Sequence, residues 1–445
     1  MKIKRIVFFS IILISLFSCS SSENNSSADI QPNIIFILVD DLGWGDLGCY
    51  GHPYAETPNI DKLAEEGILF KKFYTSGVSC CPSRTAFMTG KHPASFKDYM
   101  ADYGFGNNIT ITELLQEAGY ATAHTGKWHM GPIEDMQKLP YGIDFSNYNK
   151  LEKDTLKGRD THSFDWAIDF IKNKSHHPFY INIWTHIVHV PLRPRKEMLR
   201  HFEDIEVDKD QFGKWFNQDK LQILEKEGRS INEAMKMYLA ELYNLDMNIG
   251  NLVQCLEEQN LDENTIIIFS SDHGPAPVRV AKEQNGEKDQ MRLNMLGYAG
   301  GLRGGKHTLY EGGVRVPFIV KWPKKIKKNQ IDNKSVVSSL DLLPTICSIS
   351  GIKYEKNSFH GEDKSQVWYG NPEARMKPLY WKREKNNSIS ILENQWKLYK
   401  GKKGRVTLYN IELDPYEENE ISSQETQVVE RLLEQIDEWT GTLPQ

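Results

Sequence analysis

Five short apolar runs stand out along the chain, and amphipathic segments separate them. Within each run the residues are nearly all apolar instead of alternating with polar ones. Strands that are buried on both faces of a mostly parallel sheet have this pattern. The runs cover residues 34–39, 121–124, 179–184, 265–269 and 316–320. They predict the strands of a central sheet.

Helical periodicity occupies the intervals between these runs. In the longest interval, apolar residues recur every three or four positions over residues 231–258. Alternation of strands and helices favours an α/β sandwich with a mostly parallel sheet. The four helical segments are residues 59–66, 112–118, 164–173 and 231–258.

After Pro344 the pattern changes to closely spaced strands and turns. A final amphipathic segment at residues 427–439 reads as a helix. We expect a larger α/β domain over residues 30–345 and a smaller α+β domain with an antiparallel sheet over residues 346–445. The strand-like segments of the smaller domain are residues 379–382, 388–392, 396–400 and 405–410.

Chemically reactive side chains follow four of the five apolar runs. In open α/β sheets, ligands bind outside the carboxyl ends of the strands. The four polar clusters are therefore predicted to meet at one edge and to form a single active site. Their members are Asp40, Asp41, Lys127, His129, His186, His189, Asp272 and His273.

Three of these residues are carboxylates. Adjacent carboxylates such as Asp40 and Asp41 repel each other, so a cation or solvent must lie nearby. With Asp272 they supply enough oxygen ligands for a hard divalent ion, although His273 is a poor partner for Ca²⁺. A solvated turn is the alternative explanation for Asp40 and Asp41. The pair Asp272 and His273 is equally ambiguous when taken alone.

The basic side chains also allow two interpretations. Lys127 and His129 are two residues apart, so in an extended loop they point the same way and can bind an oxyanion and move a proton. A surface lysine beside a packed histidine is the simpler alternative. The next pair, His186 and His189, allows the same two interpretations.

A glycine-rich segment over residues 300–306 has the spacing G-x-x-x-x-G-K, which resembles part of a phosphate-binding loop. We reject that function because His307 occupies the Ser/Thr position and no clear strand precedes the segment. Glycines instead allow close approach of the backbone to a ligand, and Lys306 supplies a point charge.

The N-terminus has the pattern of a bacterial export signal. Basic residues precede an apolar run at residues 6–17 that is short for a membrane span. Residues 16–19 resemble a lipobox, so we expect a signal peptide over residues 1–18, lipidation at Cys19 and a flexible tether over residues 19–29. An ordinary signal peptide with an incidental cysteine is the alternative.

Composition narrows the classes of partner. The formal net charge is -6, so no basic surface for nucleic acid is predicted. An anionic polymer would instead be met by a local basic pocket. The cysteines lack the spacing of a zinc site or a disulfide framework.

The most specific motif is Cys80-Cys81-Pro82-Ser83-Arg84, with Thr89-Gly90 shortly after it. It resembles the motif of the type I sulfatases, in which the first cysteine is oxidised to Cα-formylglycine. Gly-Lys-Trp-His, Ser-Asp-His-Gly and a glycine-rich segment with Lys306 follow in the order of that family. The resemblance covers roughly residues 33–345 and extends to the strand-rich tail. It implies the alkaline-phosphatase-like fold.

The resemblance also implies a bound Ca²⁺. Asp40, Asp41, Asp272 and His273 match the calcium ligands of the family, with the modified Cys80 at the same ion. The family has Asn or His at the last of these positions.

The same resemblance assigns catalytic roles. Arg84 and Lys127 match the pair that steadies the formylglycine hydrate. His129 matches the base that releases sulfate from the enzyme. His189 and Lys306 match the residues that bind sulfate and protonate the leaving group.

We therefore expect hydrolysis of sulfate esters on a polysaccharide or oligosaccharide, after a formylglycine-generating maturase has acted on the chain. The pattern is similar to bacterial polysaccharide sulfatases and N-acetylgalactosamine-6-sulfatase relatives. Marine algal polymers such as ulvan are favoured over host glycosaminoglycans, with the protein exported to the periplasm or cell surface. Two alternatives stay open: a phosphate or phosphonate ester hydrolase of the same fold, and a non-catalytic glycan-binding lipoprotein.

Overall fold

An eight-stranded mixed sheet forms the centre of the computed structural model, in the order β5-β4-β6-β1-β7-β8-β2-β9. The structure describes residues 31–133, 139–148, 157–174, 177–279, 290–355, 357–383 and 386–444. Residues Pro32–Gln445 form one compact unit. The predicted signal peptide, lipidated Cys19 and tether lie outside the described residues. In the described part, no helix combines the length and apolar character needed to cross a membrane.

Fourteen strands and thirteen α-helices are found in the described residues. The strands are β1 Asn33–Val39, β2 Ile68–Phe70, β3 Phe73–Tyr74, β4 Ala121–Gly126, β5 Phe145–Asn147, β6 Phe179–Trp184, β7 Thr265–Ser271, β8 Phe318–Lys321, β9 Gln330–Asp332, β10 Val337–Ser338, β11 Leu379–Arg383, β12 Ser388–Glu393, β13 Trp396–Lys400 and β14 Val406–Asn410. The helices are α1 Pro58–Glu65, α2 Cys80–Thr89, α3 Met100–Tyr103, α4 Ile111–Glu117, α5 Thr161–Lys174, α6 Lys196–His201, α7 Lys214–Phe216, α8 Gln222–Lys226, α9 Ile231–Glu258, α10 Glu311–Val314, α11 Leu342–Ile349, α12 Ser365–Trp368 and α13 Thr426–Gly441.

The parallel core of the sheet confirms the predicted fold class. Strands β4, β6, β1 and β7 are mutually parallel neighbours, and every residue of β1, β6 and β7 is buried. Their carboxyl ends are in register, since Leu38 lies opposite Trp184 and Val39 opposite Ser271. The side chains that follow these strands therefore emerge at one edge.

Side chains of β1 alternate between two hydrophobic cores. Ile35 and Ile37 pack into the core that contains α9. Ile34 and Phe36 pack on the opposite face, into the core that contains α2 and α11. A strand buried on both faces has no polar alternation, which explains its continuous apolar run.

The fifth predicted strand differs from the other four in direction. β8 is antiparallel to both of its neighbours, β7 and β2. The sequence pattern missed β2, β9 and β5, each of three residues, because so short a segment carries no measurable periodicity. It also missed α2, which contains the Cys-Cys-Pro-Ser-Arg motif.

The C-terminal region contains the predicted antiparallel sheet, in the order β11-β12-β13-β14. Helix α13 covers one of its faces through Leu432 and Ile436. The other face packs against Tyr74 of β3, Leu309 and Val314 of α10. The domain boundary at residues 345 and 346 stays a prediction.

A buried ion pair joins this C-terminal sheet to the glycine-rich segment. Lys397 on β13 lies 2.6 Å from the Glu311 carboxylate, and both side chains are fully buried. Tyr74 donates a hydrogen bond to the same carboxylate at 2.8 Å. Because Glu311 lies five residues after Lys306, the pair holds the segment that carries Lys306 against the sheet.

We predict that Lys397→Met lowers the free energy of unfolding by about 3–5 kcal/mol, because Glu311 would remain as a buried charge that has lost its closest cation. Chemical denaturation monitored by circular dichroism would measure the loss. Lys400→Met is the control, since its partner Asp437 is largely exposed and the pair contributes at most about 1 kcal/mol. Equal effects of both substitutions would contradict the prediction.

Candidate active site

The Cys80 side chain lies at the start of helix α2, immediately beside the edge where the parallel strands end. Pro82 occupies the first turn of this helix, where no intrahelical N–H partner is lost. The backbone of the helix passes so close to Gly77 that a Cβ there would lie 2.4 Å from the amide nitrogen of Ser83. Glycine at position 77 therefore permits the approach that buries Cys80.

Three polar groups surround the sulfur of Cys80. The thiol lies 3.3 Å from Asp40 Oδ1 and 3.3 Å from His273 Nε2. The ammonium group of Lys306 lies 3.5 Å from it. The structure thus brings together residues from three distant segments around the cysteine of the sulfatase-like motif.

Backbone hydrogen bonds hold the acidic pair at the end of β1. Asp40 N–H donates to the Ile187 carbonyl at 3.0 Å, and Val188 N–H donates to the Asp40 carbonyl at 2.8 Å. The amide of Asp41 donates to Asp272 Oδ1 at 3.2 Å. The loops after β1, β6 and β7 therefore position one another.

Asp40, Asp41, Cys80 and His273 form a buried group that fits a metal ion, since their ligand atoms all lie within 4.8 Å of one another. Asp41 Oδ2 is buried and has no hydrogen-bond partner. His273 Nδ1 lies 2.9 Å from the Gly274 carbonyl, an acceptor, so Nδ1 carries a proton and Nε2 faces the group.

Asp272 adjoins this group, with Oδ1 3.3 Å from His273 Nε2. Together with Asp40 and Asp41 it makes the donor set rich in carboxylate oxygen, which suits a hard divalent cation. The loop that carries His273 is also closely packed, since a Cβ on Gly274 would lie 1.9 Å from the Gly312 carbonyl oxygen. All five predicted metal ligands therefore lie together, and their role stays a prediction.

Each buried carboxylate has a cationic partner. Lys127 contacts Asp40 directly, and Lys306 Nζ lies 2.6 Å from Asp41 Oδ1. Burial alone raises the pKa of Asp40, but the Lys127 ammonium and further cations outweigh burial and hold that pKa well below its usual value. Asp40 therefore stays ionised at neutral pH.

Arg84 is the cationic partner of the third buried carboxylate, Asp272. Its guanidinium donates to Asp272 Oδ2 from Nε at 3.2 Å and from Nη2 at 2.9 Å, and the side chain is fully buried. A third donor, Nη1, lies 3.4 Å from the Lys127 carbonyl. Arg84 therefore fixes the strand end that carries Asp272 relative to the one that carries Lys127.

His129 and His189 are the two cavity histidines that were predicted to take part in the reaction. Burial, followed by the charge of Lys127, lowers the pKa of His129 to about 4, so this imidazole is neutral and can accept a proton. His189 Nδ1 lies 2.8 Å from the Val190 carbonyl. Its Nε2 lies 3.9 Å from Asp41 Oδ2. The side chain of His189 is about one third exposed to the cavity.

The sequence interpretation missed the residues that hold the loop after β6. Asp160 Oδ1 lies 2.9 Å from His186 Nδ1, and Asp160 Oδ2 accepts from the amides of His186 and Ile187. Arg159 donates to the carbonyls of His189 and Pro191. No motif marks residues 157–160, so only their contacts reveal this function.

The cavity has a volume of about 610 Å³ and extends from Asp40 and Cys80 to the C-terminal sheet. Lys127, His129 and Lys306 lie in its wall, and Lys382 and Arg383 of β11 contribute from the smaller sheet. Sequence patterns had not assigned the last two residues to the site. Five of the six catalytic candidates line this one space, whereas the fully buried Arg84 does not; the five are Cys80, Lys127, His129, His189 and Lys306.

These features define an α/β protein of the alkaline-phosphatase-like fold, with one polar cavity at the carboxyl ends of its parallel strands. The chain belongs to the sulfatase family. The family model for sulfatases matches residues 32–352. A second model, for the C-terminal region of N-sulphoglucosamine sulphohydrolase, matches residues 304–441.

Similar proteins are known from animals and bacteria. The human N-acetylgalactosamine-6-sulfatase is 29% identical over 375 residues, which covers 74% of this chain and 63% of the relative. An N-acetylgalactosamine-6-O-sulfatase of Bacteroides thetaiotaomicron is 25% identical over 93% of this chain and 94% of its own. The chain thus spans somewhat under two thirds of the human relative but nearly all of the bacterial one.

The solved structure of Ps i-CgsB in complex with k-i-k-neocarrahexaose has a similar fold. Its TM-score is 0.76 at 26% sequence identity, and the match covers 93% of this chain and 94% of that protein. The fold predicted from the apolar runs is therefore confirmed.

We predict that Lys127→Met raises the pKa of His129 from about 4 toward the ordinary value of 6.5, because a nearby positive charge is removed. The rise is partial, since burial of the imidazole remains. NMR titration of histidine-labelled protein measures it, with Lys226→Met at an exposed site as the control. A wild-type midpoint near 6.5 would contradict the assignment of a neutral base.

Proposed function

We propose that this protein is a formylglycine-dependent sulfatase that removes sulfate from a sulfated carbohydrate. The observation that carries the proposal is the position of Cys80. Its sulfur lies within 3.5 Å of Asp40, His273 and Lys306, in a cavity lined by further cations and by histidines. Membership of the sulfatase family supports the same reaction class.

The modified side chain at position 80 would supply a hydrated aldehyde, one hydroxyl to attack sulfur and a second through which the sulfate can later leave. The surroundings of Cys80 fit this group. Asp40 and His273 lie 3.3 Å from the Sγ atom as hydrogen-bond partners, and Lys306 lies 3.5 Å from it as a positive charge.

Lys127 and Lys306 bind the sulfate oxygens in this proposal. The two ammonium groups contact Asp40 and Asp41 respectively, and both lysine side chains are at least five-sixths buried. Preorganised charges in a water-poor cavity stabilise the redistribution of negative charge during ester cleavage. Arg84 keeps Lys127 in place through its contact with the Lys127 carbonyl.

The two histidines divide the proton transfers. His189 lines the cavity with a side chain that is about one third exposed, and in the proposal it protonates the departing alcohol oxygen. His129 is neutral because burial and the Lys127 charge lower its pKa. It accepts the proton that must leave the side chain at position 80 when sulfate departs.

We further propose that the divalent ion is Ca²⁺, held by Asp40, Asp41, Asp272, His273 and the oxygen at position 80. Such an ion would polarise a sulfate oxygen and make the attacking hydroxyl more acidic. Support comes from the unpartnered Asp41 Oδ2 and from the inward Nε2 of His273. Carboxylate oxygens favour calcium over the softer transition metals.

A sulfated polysaccharide or oligosaccharide is the proposed substrate class. Similar proteins carry names that refer to N-acetylgalactosamine-6-sulfate groups, and one similar structure holds a carrageenan-type oligosaccharide. Ulvan stays a prediction alongside the two carbohydrate classes that these names suggest. The action of a maturase, the export of the protein and the lipid anchor at Cys19 also stay predictions. A panel of ulvan, carrageenan and chondroitin 6-sulfate oligosaccharides, with aryl sulfate and aryl phosphate, would separate the candidates.

We predict that Cys80→Ser, expressed without a maturase that acts on serine, lowers turnover of an aryl sulfate by at least about a thousandfold. A plain hydroxyl cannot release the bound sulfate by elimination. In the mature wild type, the peptide around residue 80 should be lighter than its thiol form by about 18 Da in mass spectrometry.

Cys81→Ser is the matched control, because the side chain of this neighbouring cysteine packs in the hydrophobic core that contains α2 and α11. We expect Cys81→Ser to lower turnover of the aryl sulfate by less than about tenfold. Wild-type turnover by Cys80→Ser, or equal losses in both variants, would reject the proposed nucleophile.

We predict that a chelator lowers the thermal midpoint of the purified protein, because the ion binds the folded state. Elemental analysis should find about one Ca²⁺ per chain in the wild type and well under half of that in Asp41→Asn. Asp204→Asn, at an exposed position, should retain the ion. A wild type that contains no divalent metal and ignores the chelator would contradict the site.

A further inference from the structure

A second cavity lies on the C-terminal sheet, next to the catalytic one. Its volume is about 280 Å³. His307 and Arg383 line both cavities, so the two spaces adjoin. Neither the sulfatase-like motif nor the proposed reaction assigns any function to this second cavity.

The second cavity is strongly basic in a protein of net charge -6. Among the described residues that line it there is no aspartate or glutamate. Its lysine and arginine residues are Arg303, Arg383, Lys400 and Arg405. A concentration of one charge sign in a concave surface attracts ligands of the opposite sign.

Two of these cations are available for a ligand. No carboxylate of a described residue lies within ion-pair distance of Arg383 or Arg405, whereas Lys400 pairs with Asp437 at 2.6 Å. Arg405 is exposed immediately before β14, and Arg383 is partly exposed at the end of β11. Guanidinium groups bind sulfate and carboxylate oxygens in a planar, two-donor arrangement.

Arg303 is held rigidly at the same surface. Its guanidinium lies 4.0 Å from the ring centroid of Tyr310 and 4.7 Å from that of Trp215. It also donates to the hydroxyl of Tyr409 at 3.1 Å. A cation fixed before binding loses little entropy when a ligand arrives.

Aromatic rings form another part of the wall. The rings of Tyr310 and Tyr399 lie 4.6 Å apart, and both line the second cavity. Partly apolar walls with a few fixed polar groups are typical of small-molecule sites. The combination of rings and guanidinium groups suits a pyranose ring that carries an anionic group.

We propose that the second cavity binds a further sugar residue of the same substrate chain through a sulfate or carboxylate group on that residue. The inference rests on the proposed function, since it places the cleaved sulfate beside Cys80. The neighbouring sugar would lie in the second cavity, beyond His307 and Arg383, which line both spaces. The protein thus recognises at least two sugar residues and discriminates against a single sulfated sugar.

Arg405→Ala tests this subsite, because Arg405 lines the second cavity and not the catalytic one. The probes are an ι-carrageenan hexasaccharide, whose anionic groups are sulfates, and a chondroitin 6-sulfate hexasaccharide, which also carries carboxylates. For each probe, the ratio of its kcat/KM to that of 4-nitrophenyl sulfate is compared between variants. Calorimetry measures binding of the same probes.

We expect Arg405→Ala to lower this ratio by about tenfold for the preferred probe, mainly through KM, with a matching loss of binding. Arg405→Lys should restore part of the loss, since it keeps the charge but not the two-donor geometry. Lys226→Ala, which removes one positive charge at an exposed position of α8, should change the ratio less than about twofold. A loss confined to one probe identifies sulfate or carboxylate as the recognised group.

The outcomes separate this inference from the proposed function. If the wild type hydrolyses 4-nitrophenyl sulfate but Arg405→Ala leaves both the ratio and the binding unchanged, the second subsite is wrong and the sulfatase proposal stands. The same holds if the wild type binds neither hexasaccharide. If the mature protein hydrolyses no sulfate ester, yet Arg405→Ala weakens hexasaccharide binding, the subsite stands and the proposed function is wrong.

Discussion

Compensation of buried charge is the interaction on which the rest of this structure depends. Three carboxylates lie at the carboxyl ends of β1 and β7, almost completely removed from solvent. Buried ions are tolerated when oppositely charged groups and hydrogen bonds replace water. Each carboxylate obtains its partner from a different part of the chain. The pairs are Lys127 with Asp40, Lys306 with Asp41 and Arg84 with Asp272.

This requirement couples the site to both sheets. Lys127 follows β4 in the parallel sheet, whereas Lys306 belongs to the glycine-rich segment. The Lys397–Glu311 pair ties that segment to the C-terminal sheet. The smaller sheet therefore contributes to the cavity in two ways. It holds the segment that carries Lys306, and it supplies Lys382 and Arg383 to the cavity wall.

The sequence predicted the strands that matter for the site with little error. Residues 179–184 coincide with β6, and residues 231–258 coincide with α9. Long buried elements are recognisable because they have many residues with one pattern. Helix α2 was missed since nine of its ten residues are buried, which leaves no polar face to mark a helical period. Strand β8 was found, but its antiparallel direction depends on partners that no local pattern shows.

By itself the sequence determined which side chains are candidates for the chemistry: a cysteine in a dense local motif, and acids, lysines and histidines just after buried strands. Their convergence follows from a general property of parallel sheets, so it too was predictable. Only the tertiary structure decided how these groups are held. Asp160 and Arg159 hold the loop after β6 that carries His186 and His189. Arg383 lines both cavities. Both arrangements bring together segments that are far apart in the chain. Such contacts leave no local spacing or periodicity, because each depends on where the whole fold places two unrelated stretches of backbone.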